Sequence, residues 1–205
     1  MLAIVRWAAL AVAIVAVAVA AWLTLQTQKG PVGPENIGGV VPAVTIGGPF
    51  ELVDQTGRTV SDTDFRSKWI LVYFGYTYCP DVCPTELANM AVALDGLGEE
   101  ASRVVPVFVT IDPERDTPAV LAEYVPLFGD RFVGLTGSRA QIDAAMKAYR
   151  VFAARAESPA STDYLMDHSS YVYLIGPDGK FVAMFRYRTD PAEIAATIRR
   201  HMAGS

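Results

Sequence analysis

Cysteine and histidine are scarce in this sequence: its 205 residues contain two of each. The cysteines, Cys79 and Cys83, have only three residues between them. A pair that close cannot staple distant elements, which excludes a disulfide scaffold and leaves chemistry as the reason for the thiols. Basic runs are also missing. The longest is Arg199-Arg200, and 22 Asp and Glu outnumber 17 Lys and Arg for a net charge of −5. That balance excludes nucleic-acid binding. There is no internal repeat, and compositional bias is confined to the first 48 residues.

That biased part divides in two. Residues 7–25 are nineteen uncharged residues, mostly Ala, Val, Leu and Ile, long enough as a helix to cross roughly 30 Å of hydrocarbon. Arg6 and Ala18-Val19-Ala20 would also suit a cleaved secretory signal. Signal cores usually run only about 7–15 residues, so residues 1–25 are read as an uncleaved signal-anchor, a transmembrane helix. Either reading exports the remainder. Ten of the twenty residues 30–49 are Gly or Pro, which makes 26–48 a tether and 49–205 the folded domain.

The domain begins with a hairpin around Asp54-Gln55-Thr56-Gly57. Trp69-Ile70-Leu71-Val72-Tyr73-Phe74 is a continuous apolar run, as in a strand buried on both faces. A helix with Leu87, Met90, Leu94 and Leu97 on one side follows, stopped by Gly98. A second buried strand occupies residues 104–111, and Thr117 with Pro118 opens the next helix. Short strands near Phe132-Val133 and Val151-Phe152 bracket a helix that Ser138 and Gln141 cap. Residues 171–175 and 181–185 form a hairpin through Gly176-Pro177-Asp178-Gly179, and Asp190-Pro191 starts a closing helix. Parallel βαβ units, then an antiparallel hairpin and a helix, predict an α/β domain of thioredoxin-like fold, a central mixed sheet flanked by helices.

Cys79-Pro80-Asp81-Val82-Cys83 falls where the first buried strand passes into the first long helix, a place that favours thiolates. Two sulfurs at that spacing can converge on one ion or close a disulfide. Pro80 and Pro84 argue against two merely buried thiols, and the three-residue spacer differs from the usual two-residue redox motif. His168, in Asp167-His168-Ser169-Ser170, is a ligand or an exposed side chain; the residues alone leave this open. His201 lies near the C-terminus. Two thiolates and an imidazole suit Cu(I) and tolerate Cu(II), whereas structural zinc wants four ligands.

Three motifs carry a family resemblance: Tyr73-Phe74-Gly75-Tyr76-Thr77-Tyr78-Cys79-Pro80-Asp81-Val82-Cys83-Pro84, Thr110-Ile111-Asp112-Pro113-Glu114-Arg115-Asp116-Thr117, and Asp167-His168-Ser169. Over about residues 45 to 203 the chain resembles the Sco/SenC family. The resemblance implies copper held by Cys79, Cys83 and His168. It implies delivery of copper to the dinuclear copper site of a cytochrome c oxidase subunit or, alternatively, thiol-disulfide reduction of that subunit's cysteines. No turnover enzyme is expected. The implied partners are that subunit, other periplasmic copper carriers or thiol reductants, and the membrane. The implied location is a single pass in a bacterial inner membrane with the soluble domain in the periplasm.

Asp112 matches a family acid, expected either to tune the thiols or contact a partner, or to cap a charged, solvated turn. Tyr73, Phe74 and Tyr76 are expected to pack. Met166 is expected to fill the base of its loop rather than offer a thioether. Residues 157–167 are expected to form a loop that moves on metal binding. A peroxiredoxin-type peroxidase is disfavoured because Thr77-Tyr78-Cys79 lacks that family's proline. Oxidation of Cys79 and Cys83 to a disulfide would remove the thiolates that hold copper.

Overall fold

In a computed structural model, the described residues are 19, 45–156 and 164–204. The expected anchor, apart from Val19, and most of the expected tether lie outside them. Among the described residues no helix is long and apolar enough to cross a membrane. Gly47 donates its N–H to Ala148 O at 3.0 Å, so the residues just before Pro49 already pack on the domain.

A seven-stranded mixed sheet organises the domain. In chain order its strands are β1 (Glu51–Asp54), β2 (Thr59–Ser61), β3 (Trp69–Gly75), β4 (Val104–Thr110), β5 (Val133–Thr136), β8 (Tyr171–Ile175) and β9 (Phe181–Arg186). The spatial order is β2-β1-β5-β4-β3-β8-β9. The three central strands, β5, β4 and β3, are parallel. Flanking them, β1 and β8 run antiparallel to their neighbours, and β2 and β9 form the edges. Every residue of β3 is buried, as its unbroken apolar run requires of a strand covered on both faces.

The helices are α1 (Val82–Leu97), α2 (Pro118–Tyr124), α3 (Arg139–Tyr149) and α4 (Pro191–Ala203). Their ends follow the sequence signals. Thr117 accepts from Val120 N–H, and Ser138 and Gln141 form a reciprocal capping box. Asp190 accepts from Ala192 N–H ahead of Pro191. Phe108, which pairs with Tyr73 and shares its face, meets Tyr124 of α2. On the other face Phe74 meets Tyr149 of α3 at 5.2 Å and the Tyr173 ring of β8 at 6.3 Å. Buried aromatics of this size each contribute about 1.5–3 kcal/mol through removal from water.

Two expectations change. The strand anticipated near Val151-Phe152 is β6 (Ala153–Ala156), and it joins β7 (Leu165–His168) in a separate two-stranded sheet. Of the loop expected over residues 157–167, residues 165–167 belong to β7, while 157–163 lie outside the described residues. His168 therefore ends a strand, with Ala153 opposite it, because backbone pairing to β6 satisfies the groups a loop would have left to water.

Gly75, the last residue of β3, has a packing reason to be glycine. A Cβ there would lie 2.9 Å from Cys83 Sγ and 3.0 Å from the rings of Tyr73 and Phe108. Gly75→Ala is expected to destabilise the domain by about 1–3 kcal/mol through overpacking. Urea unfolding should give a lower midpoint at unchanged slope, and an unchanged midpoint would show that Cys83 moves aside without strain.

Candidate metal centre

The cysteine motif sits at the carboxyl ends of β3 and β4, where an open α/β sheet offers its crevice. After Gly75 the chain turns through residues 76–81 and enters α1 at Val82. No side chain caps this helix at Asp81. Instead Cys83 N–H points to Cys79 Sγ at 3.4 Å, placing that sulfur among the free amides of the first turn. Cys83 is fully buried, whereas Cys79 is half-buried.

His168 arrives from the other side. Because β8 runs antiparallel to β3, its beginning lies beside the end of β3, and His168 comes three residues before β8. Its Nδ1 lies 3.0 Å from Ser169 O. A carbonyl only accepts, so Nδ1 is the nitrogen that donates to it, and Nε2 is the ring nitrogen turned toward the sulfurs. That Nε2 lies 3.4 Å from Cys83 Sγ. The Tyr73 and Tyr76 rings meet the imidazole edge-on at 6.1 and 6.0 Å and fix its plane. The two tyrosines do pack, as expected, and what they pack against is the histidine.

Among the described residues, Cys79, Cys83 and His168 are the group of three whose donor atoms could hold a metal ion, all lying within 4.8 Å of one another. Donors 2.0–2.3 Å from a shared ion lie roughly 3.5–4 Å apart, close to this spacing. The soft, thiolate-rich set fits copper.

The two thiols differ sharply. The Cys83 thiol beside Cys79 is the largest influence on it; against the opposing effect of burial, and helped by His168 and the amides of Asp81 and Cys83, it holds Cys79 down to about 3. The same contact, reinforced by burial, pushes Cys83 far above the usual thiol range. One proton thus serves the pair and resides on Cys83. Tyr73 Oη is buried beside Cys83 without a well-formed hydrogen bond, and burial keeps it protonated.

The acidic loop after β4 underpins this site. Asp116, fully buried, accepts from Thr77 N–H at 3.0 Å, Thr77 Oγ1 at 2.6 Å and Thr110 Oγ1 at 2.6 Å, tying the cysteine loop to β4. Asp112 is fully buried too, which corrects the solvated-turn expectation. Its carboxylate accepts from Arg115 Nε at 2.5 Å and Tyr164 Oη at 2.7 Å, and none of its hydrogen bonds or ion pairs goes to a thiol. Arg115 donates to Tyr164 O at 2.9 Å and lies over the rings of Tyr164, Tyr78 and Tyr76 at 3.8, 4.9 and 5.7 Å. Asp112 is therefore linked to the cysteine loop through Arg115, which also reaches the approach of β7. Asp116, Arg115 and Tyr164 escape sequence reasoning because a run of charges reads as a solvated turn until its partners are seen. His201 lies exposed on α4, apart from this group.

Of the two thiols, Cys79 is expected to remain alkylated by iodoacetamide down to pH 5, with little change in rate between pH 5 and 8. Cys83 should stay unmodified until the protein unfolds. Peptide mapping after timed alkylation checks this, and a Cys79 rate that climbs tenfold per pH unit would contradict it.

The chain is similar to known proteins. The mitochondrial protein SCO1 homolog of Homo sapiens is 43% identical over 159 residues, 77% of this chain and 53% of that protein. The chain thus spans about half the length of the first such curated relatives. Bradyrhizobium japonicum ScoI, solved with copper bound, is 42% identical with a TM-score of 0.70, covering 76% of this chain and 98% of that one. BsSco, described with a disulfide switch as a member of the Sco family of cytochrome c oxidase assembly proteins, is 27% identical with a TM-score of 0.60, covering 78% and 96%. The family model SCO1/SenC matches residues 41–203. On that match, with its three motifs converging on one crevice, this chain belongs to the SCO1/SenC family.

Proposed function

We propose that this protein carries copper on Cys79, Cys83 and His168 and serves in assembling the dinuclear copper site of a cytochrome c oxidase subunit. The observation that carries this reading is the convergence of two sulfurs and an imidazole Nε2 within 4.8 Å, with Nδ1 engaged by Ser169 O and Nε2 turned toward the sulfurs. Cys79 meets the ion already as a thiolate. Cys83 gives up its proton as the ion arrives, the positive charge taking the place of that proton. Cys79 and His168 are half-buried and Cys83 is fully buried, so a partner's cysteines reach the cargo from the Cys79 side.

Residues 1–25 are the proposed anchor, holding the domain on the periplasmic face of a bacterial inner membrane. The partners in this reading are the copper-receiving oxidase subunit, other periplasmic copper carriers and thiol reductants. Asp112 is a positioning residue that acts through Arg115.

A second reading, thiol-disulfide reduction of the subunit's cysteines, is favoured by the asymmetry of the pair. The Cys79 thiolate would attack a partner disulfide and form a mixed disulfide. Cys83 would then displace the partner's thiol, leaving Cys79–Cys83 oxidised and the partner reduced. The two roles are linked, since a Cys79–Cys83 disulfide has no thiolates left for copper. The disulfide switch named for BsSco supports that link.

Copper titration of the reduced, detergent-solubilised full chain, with thiols counted before and after, tests both readings. One copper per chain is expected, with retention lost in His168→Ala and in Cys79→Ser. Undiminished stoichiometric binding by His168→Ala would refute the site, and no copper with two readily cycling thiols would turn the assignment to the reductase. Cys83 is protonated in the apo pair near neutrality, so binding should release one proton. Copper(I) affinity should therefore rise about tenfold per pH unit between pH 6 and 8, and a flat profile would refute the shared-proton account.

A further inference from the structure

We propose that Met166 is a further copper(I) donor, its thioether completing the set formed by Cys79, Cys83 and His168. This rests on the copper-carrying reading above. Side chains of a strand alternate, and along β7 Leu165 and Asp167 are exposed while Met166 and His168 are half-buried. Met166 thus shares the face of the histidine and packs against the core. With Tyr76, Cys79 and His168 it lines one cavity of about 260 Å³ beside the cysteine loop. Its position relative to the ligands is fixed, because its N–H donates to Tyr76 Oη at 3.2 Å and the Tyr76 ring stands against His168.

Three donors leave copper(I) a coordination position. The other polar residues lining the cavity are Asp81, Asp167 and Ser170. All offer hard oxygen, and Asp167 belongs to the exposed side of β7. The thioether is the soft donor there, suited to copper(I) rather than copper(II). An unbranched side chain with three rotatable bonds can also swing off without disturbing the backbone, as a cargo site requires. The packing role expected from sequence is present too, since Met166 packs against the core while lining the cavity that Cys79 and His168 share.

Selenium makes the test direct. The full chain, labelled with selenomethionine, is loaded with one Cu(I) in detergent, and X-ray absorption at the copper edge is compared between wild type and labelled Met166→Leu. A Cu–Se shell in the wild type, absent from the variant, is expected. Met166→Leu should also lose roughly tenfold in copper(I) affinity against a chelator, the lower end of what changes around a metal cost, with copper(II) affinity unchanged. Copper bound without a Cu–Se shell, or a shell that persists in Met166→Leu, overturns the proposal and leaves the three-ligand reading standing. Failure of the wild type to retain copper at all overturns both.

Discussion

The antiparallel pairing of β8 with β3 is the constraint on which the site depends. Tyr73 pairs with Val172 near the end of one strand and the start of the other, so the segment before β8 must pass the loop after β3. That places an imidazole 89 residues downstream beside the first cysteine. A parallel pairing would send His168 to the far end of β8, five residues and about 17 Å away. The two-stranded sheet of β6 and β7 then carries the histidine on regular backbone, and Ser169 O engages Nδ1 so that Nε2 meets the sulfurs.

A second layer of order comes from burying acids beneath the site. Carboxylates out of water cost several kcal/mol unless charges and hydrogen bonds compensate them. Here Asp116 is satisfied by Thr77 and Thr110, and Asp112 by Arg115 and Tyr164. These bonds join β4 to the cysteine loop on one side and to the entry of β7 on the other. Glu114, beside them, pairs with Arg139 of α3, which holds its carboxyl down to about 2 and moors the loop to the helix layer. The position of the cysteines relative to the histidine is therefore set by charge pairs as well as by strand register.

Burial and hydrogen bonding also divide the labour between two chemically identical side chains. The neighbouring thiol, with the helix amides, stabilises charge on the outer sulfur, while that same contact, reinforced by burial, keeps the proton on the inner one. An exposed nucleophile or ligand paired with a protected partner suits metal exchange and disulfide exchange alike, which is why the two proposed roles share one apparatus.

The sequence by itself determined a good deal. The apolar run of β3, the caps at Thr117, Ser138 and Asp190, and the turn around Pro177-Asp178-Gly179 announce elements that the structure contains, because they act through local physics that one stretch of chain expresses alone. The three motifs identified the family, and with it the residues to watch. Only the tertiary structure decided that His168 stands at the end of a strand with Nε2 toward the sulfurs, that Asp112 and Asp116 are buried struts, and that Met166 lines the cavity beside Cys79. The contacts that bring these groups together join residues 39 to 90 positions apart, and such pairings leave no periodic trace in a single sequence.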